Sequence, residues 1–333
     1  MRYLSLFSGI EATSVAFEPL GWQPVAFSEI DPHASAVLAH HWPNVPNHGD
    51  VTQFDWSVYR NAVDLVIGGS PCTTFSPMGQ RQGLADPRGQ LSLGFMEILR
   101  RVRPRWVIWE NSCGALGSNG GSDLASILGA FTGLRITTPK RWATSGILAG
   151  IRNAYSVAWR VFDAEYFGVP QRRRRLFVVG HLGDWRPPTG VLFEPQGVSG
   201  GFETGEESSN QSTDRDPNRP RVLAFSANDH GQDIGYDVSP TLRAGGFTTS
   251  HMNGGCKVAI VHEGVDKSVP PRTLTPVEGL RLQGFPDTHL DLKYKGKPLA
   301  KCHRYKLIGN SMAVPVIRWL GERIQEVERY APR

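Results

Sequence analysis

Tyr3-Leu4-Ser5-Leu6-Phe7-Ser8-Gly9 opens the chain with a short apolar strand broken by a Ser-Gly turn, and the next segment, Ala12 to Phe17, reads as a helix ended by Pro19 and Gly21. Pro24 to Phe27 gives a second strand. Val63 to Ile67 and Trp106 to Trp109 give two more, each buried in character and closed by a polar or glycine-rich turn. Strands alternating with helices predict an α/β fold on a parallel sheet. In such sheets ligands collect beyond the carboxyl ends of the strands. Phe7 to Gly9, Glu29, Pro71-Cys72 and Glu110-Asn111 all fall there, so four polar constellations converge on one expected active site.

Beyond a last apolar strand at Phe177 to Val179 the pattern changes. Val198 to Arg221 is rich in Gly, Ser, Asn, Pro and charge and reads as an exposed or partly disordered loop. Val222 to Ile260 alternates short apolar pieces with glycine-rich turns, which predicts a small, irregular β-rich lobe. Val316, Ile317, Leu320, Ile324 and Val327 recur at helical spacing, so the end of the chain should form a helix that packs back on the first lobe.

With 333 residues, 40% of them hydrophobic and 20% charged, the chain can bury a large core and does not read as disordered. A net charge of +5 and an isoelectric point near 9.1 favour a polyanionic partner. No apolar stretch is long enough to span a bilayer and the start is unlike a signal peptide, so a cytoplasmic protein with no membrane partner is expected. Cys72, Cys113, Cys256 and Cys302 lie far apart without a Cys-x-x-Cys pair, which suggests neither a metal site nor a disulfide framework.

Cys72 follows Gly68-Gly69-Ser70-Pro71, where flexible glycines and a rigid proline can present a thiol at the sheet edge. A lone cysteine is ordinarily a small buried hydrophobe, but a polar Pro-Cys turn favours a nucleophile. Thr73 to Gln90, with Gln80, Arg81 and Arg88, reads as a polar loop able to close over a polyanion, or as an ordinary surface loop. Glu110 follows Val107-Ile108-Trp109, whose bulk should shield its carboxyl and raise its pKa; capping a helix is the plainer role for such a pair. Gln171-Arg172-Arg173-Arg174-Arg175 leads into an apolar strand, so Arg173 and Arg175 should share one face. A solvated charge run is the usual reading of consecutive arginines; here an anion or base contact is favoured. Glu29 ends the second strand where an acid binds ribose in nucleotide-binding α/β folds, yet the dinucleotide fingerprint G-x-G-x-x-G is missing, which disfavours a nicotinamide enzyme.

In this order, from Leu4 to Val314, the segments resemble the cytosine-5 DNA methyltransferase family. Phe7-Ser8-Gly9, Pro71-Cys72, Glu110-Asn111, Gln171-Arg172-Arg173 with Arg175, Arg272-Thr273-Leu274-Thr275 with Glu278 and Arg281 to Pro286, and Gly309-Asn310-Ser311 with Val314 match its successive blocks. The resemblance implies a Rossmann-like, S-adenosylmethionine-dependent methyltransferase fold with a smaller, irregular β-rich target-recognition domain. The expected divisions are 1–180 for catalysis and cofactor, 181–300 for target recognition, and 301–333 returning to the catalytic domain. The resemblance assigns Phe7, Ser8, Gly9, Ile10, Glu11, Glu29, Ile30, Asp50, Val51, Pro71, Asn310 and Ser311 to the cofactor. Cys72, Glu110, Arg173 and Arg175 are assigned to catalysis, and Gln80, Arg81, Arg88, Asn111 and Gln171 to DNA.

Three positions depart from the family pattern: Glu11-Ala12 stands for a glycine pair, Thr73 for Gln and Ser112 for Val. None removes a reacting group, although the first bears on how the methionine end of the cofactor is held. The implied reaction has Cys72 add to C6 of a cytosine flipped out of double-stranded DNA, with Glu110 at N3 and Arg175 at O2 and S-adenosylhomocysteine as product. A monomer should suffice. The alternatives are methylation of transfer RNA, whose branch carries a Cys-Phe-Thr signature absent here, and an inert DNA-binding relative.

Overall fold

The structure is a computed structural model; it describes residues 1–70, 87–193, 222–226, 235–242, 258–262 and 272–330. Chain order runs β1 (Arg2–Leu6), α1 (Ala12–Phe17), β2 (Gln23–Ser28), α2 (Pro32–His41), β3 (Leu65–Gly69), α3 (Pro87–Val102), β4 (Trp106–Ser112), α4 (Ser122–Thr132), β5 (Ser145–Leu148), β6 (Tyr155–Asp163), β7 (Arg174–Leu182) and α5 (Arg186–Leu192). Strands β1 to β7 form one sheet in the order β2-β1-β3-β4-β7-β6-β5.

Alternation along each strand divides the core between the two faces. Tyr3, Leu65, Ile67, Trp106 and Ile108 point to a face covered by α1, α2, α5 and the C-terminal helices, while Leu4, Leu6, Val66, Val107 and Trp109 point to a face covered by α3 and α4. Every residue of β4 is buried, as expected of a strand sandwiched between helical layers.

The expectation of a parallel sheet holds for half of it. β2, β1, β3 and β4 run parallel. β7 pairs antiparallel with β4, and β6 and β5 continue antiparallel beyond it. The physical reason is the connection: β6 and β7 are joined by only a short turn, Ala164–Phe167, and the residues up to Arg173, which is too little chain for a crossover helix.

The smaller sheet has the order β11-β10-β8-β9, with β8 (Val222–Ser226), β9 (Gly235–Tyr236), β10 (Val258–His262) and β11 (Arg272–Thr273). Among the described residues its core holds Ala224, Val258, Ile260 and Leu274. Next come α6 (Pro276–Gln283), a hairpin of β12 (Lys293–Tyr294) and β13 (Lys297–Pro298), α7 (Lys301–Asn310) and α8 (Val314–Tyr330). Leu280, Phe285, Leu290, Leu292 and Leu299 join the same core as α1 and α8. The apolar stripe of α8 buries Val316, Ile317, Leu320 and Ile324 against the first lobe. Close approach there requires Gly321, because a Cβ would lie 2.7 Å from the Phe17 ring and 2.6 Å from Leu20.

Candidate active site

The sheet register gathers the predicted residues on one edge. Leu6 is opposite Ser28 and Gly68, and Gly69 is opposite Glu110, so Phe7, Glu29, Ser70 and Glu110 emerge side by side at the carboxyl ends of parallel strands. β7 runs the other way, and its first residues reach the same edge, with Arg175 opposite Ser112. An antiparallel strand is what allows an arginine at a strand's start to meet a carboxylate near its neighbour's end.

Glu110 and Arg175 form a largely buried ion pair at this edge. Arg175 Nε lies 3.1 Å from Glu110 Oε1, and both side chains are largely buried. The carboxyl also presses on the neighbouring strand: a Cβ at position 69 would sit 2.7 Å from Glu110 Oε2, so glycine makes room for it. Burial pushes the Glu110 carboxyl up, while Arg175 and then Arg173 pull it down; desolvation wins. A carboxyl in this state holds its proton more tightly than an exposed one and is steered by a permanent cation.

Beneath this pair lies a closed polar network. Asn111 is fully buried, and its amide donates to the Ser70 carbonyl at 3.3 Å and to Ser70 Oγ at 3.2 Å. Trp109 Nε1 donates to the same hydroxyl at 3.0 Å, and Ser70 and Ser92 hydroxyls are 2.8 Å apart. Ser70 directly precedes Pro71-Cys72, so β4 and α3 together fix the backbone from which the thiol departs. Pro71, Cys72, Gln80 and Arg81 lie outside the described residues, and Arg88 falls in the first turn of α3.

At the other end of the edge, the turn after β1 is held by backbone and side-chain bonds. Phe7 has a positive φ of 55°, Ser8 Oγ donates to the Ser5 carbonyl at 2.8 Å, and Gly9 N donates to Glu29 Oε2 at 2.7 Å. Glu29 Oε1 accepts from Asp31 N at 2.7 Å, and burial raises the Glu29 pKa. A carboxylate has about four acceptor positions, so capacity remains for a diol. Ile30 beside it is 73% exposed, Asp50 is exposed with Oδ1 taking Thr52 N and Oγ1, and Val51 is buried beneath it. An acidic group for ribose, an exposed apolar side chain for a purine face and a second acid for its amino group fit S-adenosylmethionine. Open space where a Gly9 Cβ would stand agrees with that fit.

Glu11 turns the other way. It is completely buried in left-handed conformation (φ 63°) and caps α1 through Ser14 N at 2.9 Å. Its carboxyl also accepts from Ser5 Oγ at 2.7 Å and Ser14 Oγ at 3.0 Å. Burial pushes its pKa up to about 7, against the three hydrogen bonds. The acid that replaces the family's glycine thus forms the floor under the turn that follows β1. Ile10 is buried, and its carbonyl accepts from His289 Nε2 at 2.7 Å.

The arginine block divides its labour. Arg173, buried, donates to the carbonyls of Leu242 at 2.8 Å, Gly309 at 3.1 Å and Ser311 at 2.5 Å. Gln171, fully buried, donates to the Leu282 carbonyl at 2.8 Å and accepts from Leu242 N at 3.0 Å. The two side chains bind the small lobe, α6 and the end of α7 to the edge of the large sheet. Arg175 alone reaches Glu110. Ser311 is held by that carbonyl contact, and Asn310 is exposed. Gln283, within the Arg281 to Pro286 block, donates to the Ile308 carbonyl at 3.0 Å. His289 and Ser92 are not singled out by the sequence; His289 has a signal in Phe285-Pro286, the turn that precedes it, whereas Ser92 has none beyond a hydroxyl on an apolar helix face.

The model of the C-5 cytosine-specific DNA methylases matches residues 1–326. The chain belongs to that family. Among curated relatives it is 30% identical to a DNA N-6-adenine-methyltransferase of Escherichia phage P1, with 97% of this chain aligned to 61% of that protein. It is 29% identical to the Type II methyltransferase M.DsaV of Dactylococcopsis salina, over 97% of this chain and 86% of the relative. Among solved structures, the Dnmt2 methyltransferase of S. pombe superposes with a TM-score of 0.63 at 18% identity, covering 99% of this chain and all of the other. The methyltransferase EhMeth of Entamoeba histolytica gives 0.60 at 15% identity, over 98% of each chain. At these identities the structural likeness establishes the methyltransferase fold. Among the described residues no helix is long and apolar enough to cross a membrane, and no group of His, Cys, Asp or Glu could hold a metal ion.

Proposed function

We propose that this chain methylates C5 of a cytosine within a specific sequence of double-stranded DNA, through covalent attack by Cys72 on C6 of a base flipped from the helix. The observation that carries the reading is the buried Glu110–Arg175 pair beside the strand that leads into Pro71-Cys72. S-adenosylmethionine supplies a sulfonium methyl, an electrophile too weakly met by the C5 of free cytosine.

The protein's part is to make C5 a nucleophile. Addition of the Cys72 thiolate to C6 forms a carbon–sulfur bond and drives the ring electrons toward C5 and N3. Glu110, whose carboxyl pKa burial pushes up, donates at N3, and Arg175 holds the charge that gathers at O2. After C5 has taken the methyl group, loss of its proton returns the electron pair, breaks the carbon–sulfur bond and frees the thiolate. A stacked base cannot be approached from both faces, so flipping is required. Glu29, Asp50 and Ile30 would hold the nucleoside end of the cofactor, with the turn from Phe7 to Gly9 and Asn310-Ser311 at its methionine end. We assign residues 181–300 the reading of the flanking bases, with Gln80, Arg81 and Arg88 toward the duplex.

The test is trapping with DNA that carries 5-fluorocytosine, in which fluorine replaces the proton lost at C5. A protein–DNA adduct that survives denaturation, requires S-adenosylmethionine and is absent from Cys72→Ala is expected. Methyl transfer to DNA without such an adduct would overturn the covalent route, and adduct formation on transfer RNA alone would transfer the substrate to RNA.

A further inference from the structure

A second concave site lies along the same edge, at its β2 end. The β12–β13 hairpin, the start of α7 and the start of α2 line a pocket of about 370 Å³, open to solvent on one side, with His33, Tyr294, Lys295, Lys297 and His303 in its wall. That volume lies in the range of small-molecule sites. Its floor is aromatic: the His33 and His303 rings stack at 3.8 Å, and Tyr294 lies 4.7 Å from His33. Its exposed residues include two cations, Lys295 and Lys297, beside Pro298 and Ala300, and Lys295 Nζ lies 5.3 Å over the Tyr294 ring. No carboxylate lines it. The nearest, Asp31, stands 3.5 Å from His33 Nδ1, caps α2 through His33 N and Ala34 N, and is bound by Lys306 at 2.7 Å.

Stacked rings under lysines are the combination that holds a nucleotide: bases stack on aromatic faces with little regard to sequence, and phosphates seek cations. We propose that this cavity binds a nucleotide unit, its ring on the Tyr294 and imidazole floor and its phosphate at Lys295 and Lys297, and that this unit belongs to the DNA substrate outside the target base. The proposal rests on the DNA reading above. Position selects DNA over a free nucleotide. β2, which ends at Ser28 just before this site, lies three strands from β4, which carries Glu110. At about 4.8 Å per strand that is roughly 14 Å, or about four steps of a strand that rises about 3.4 Å per nucleotide.

The His33 imidazole adds a pH signature. Facing His33 are Asp31 from the start of α2, His303 and Lys306 from α7, and Lys295 and Lys297 from the hairpin. Burial, then the neighbouring His303, lowers the His33 pKa, with Asp31 opposing. A phosphate would offset the crowding of cations, so binding should be accompanied by proton uptake and be tighter at pH 6 than at pH 7.5.

The test uses the full chain and its Lys295→Gln/Lys297→Gln variant, both residues being exposed and outside the catalytic centre. Affinity for a short duplex is measured by fluorescence anisotropy over a range of NaCl concentrations. Each lost phosphate contact lowers the slope of log K against log salt by about 0.9, so loss of the one phosphate held by the two lysines should lower it by about one. Lys295→Arg/Lys297→Arg should keep the wild-type slope. In a second arm adenosine 5′-monophosphate is titrated and the imidazole proton resonances of His33 and His303 are followed. A nucleotide response with an unchanged DNA slope would overturn the DNA source in favour of a free nucleotide, and neither response would overturn the site altogether. Wild-type protein that binds and methylates DNA while the variant keeps its slope defeats this inference alone; wild-type protein that does not methylate DNA defeats the proposed function instead.

Discussion

Replacing Glu11 by Gln should stabilise the fold, and by an amount that depends on pH. In the folded chain the carboxyl keeps its proton up to about pH 7; in the unfolded chain it loses the proton near 4.5. Between these values the folded state binds the extra proton, so stability falls as pH rises through that window. Raising a carboxyl from 4.5 to about 7 corresponds to about 3 kcal/mol, nearly all of it present by pH 8 and almost none below pH 4.5. Gln keeps the shape, and its carbonyl can accept from Ser14 N and Ser14 Oγ as Glu11 Oε1 does. Its amide would face Ser5 Oγ, which can turn from donor to acceptor. Urea unfolding at pH 5 and pH 8 measures the difference directly. The variant should gain about 2 to 3 kcal/mol more at pH 8 than at pH 5. An equal effect at both pH values would refute the claim that Glu11 is a buried, protonated cap, and a loss at pH 8 would mean that its charge is stabilised by a group facing the cofactor.

Further outcomes follow from the same contacts. Glu110→Gln should lower kcat about 100-fold or more if the carboxyl donates a proton, and Arg175→Ala should raise the pH at which the remaining carboxyl ionises, seen as an alkaline shift in the kcat profile. Arg173→Met leaves three buried carbonyls without their donor and should cost on the order of 3 kcal/mol in thermal unfolding. Ser92→Ala removes a buried partner of Ser70 and should cost about 1 kcal/mol; because Ser70 sits at the base of Pro71-Cys72, kcat should fall more than the KM for DNA changes.

The parts of the fold visible in the sequence were those with local causes. The helix from Ala12 to Phe17 and the strand after it are set by their apolar spacing and by the stops at Pro19 and Gly21. The carboxyl-end placement of Glu29 and Glu110 follows from strands that run the same way. Periodicity says which residues face inward but nothing about the direction of pairing. Tyr155–Asp163 therefore passed without notice as the strand that, with β7, turns half the sheet antiparallel. That reversal is what lets Arg175 reach Glu110.

Long-range contacts were equally hidden. His289 bonds to Ile10 across nearly the whole chain, and Arg173 spends its guanidinium on carbonyls of residues that come much later. The placement of Arg173 and Arg175 near one centre was legible from their alternate positions. Their different tasks were not, since these depend on where α7 ends. Glu11 looked like a departure at the cofactor; its left-handed backbone turns the carboxyl into the core, a consequence of conformation rather than composition.

The central claim is cytosine methylation through Cys72, and bisulfite sequencing of plasmid DNA from cells expressing the wild type or Cys72→Ala tests it most directly. Protected cytosines within one short shared motif, all lost in the variant, are expected. Protection that persists in Cys72→Ala would contradict the nucleophile, and a wild-type plasmid with no protected cytosine, from cells shown to contain the folded protein, would contradict the assignment of unmodified duplex DNA as substrate.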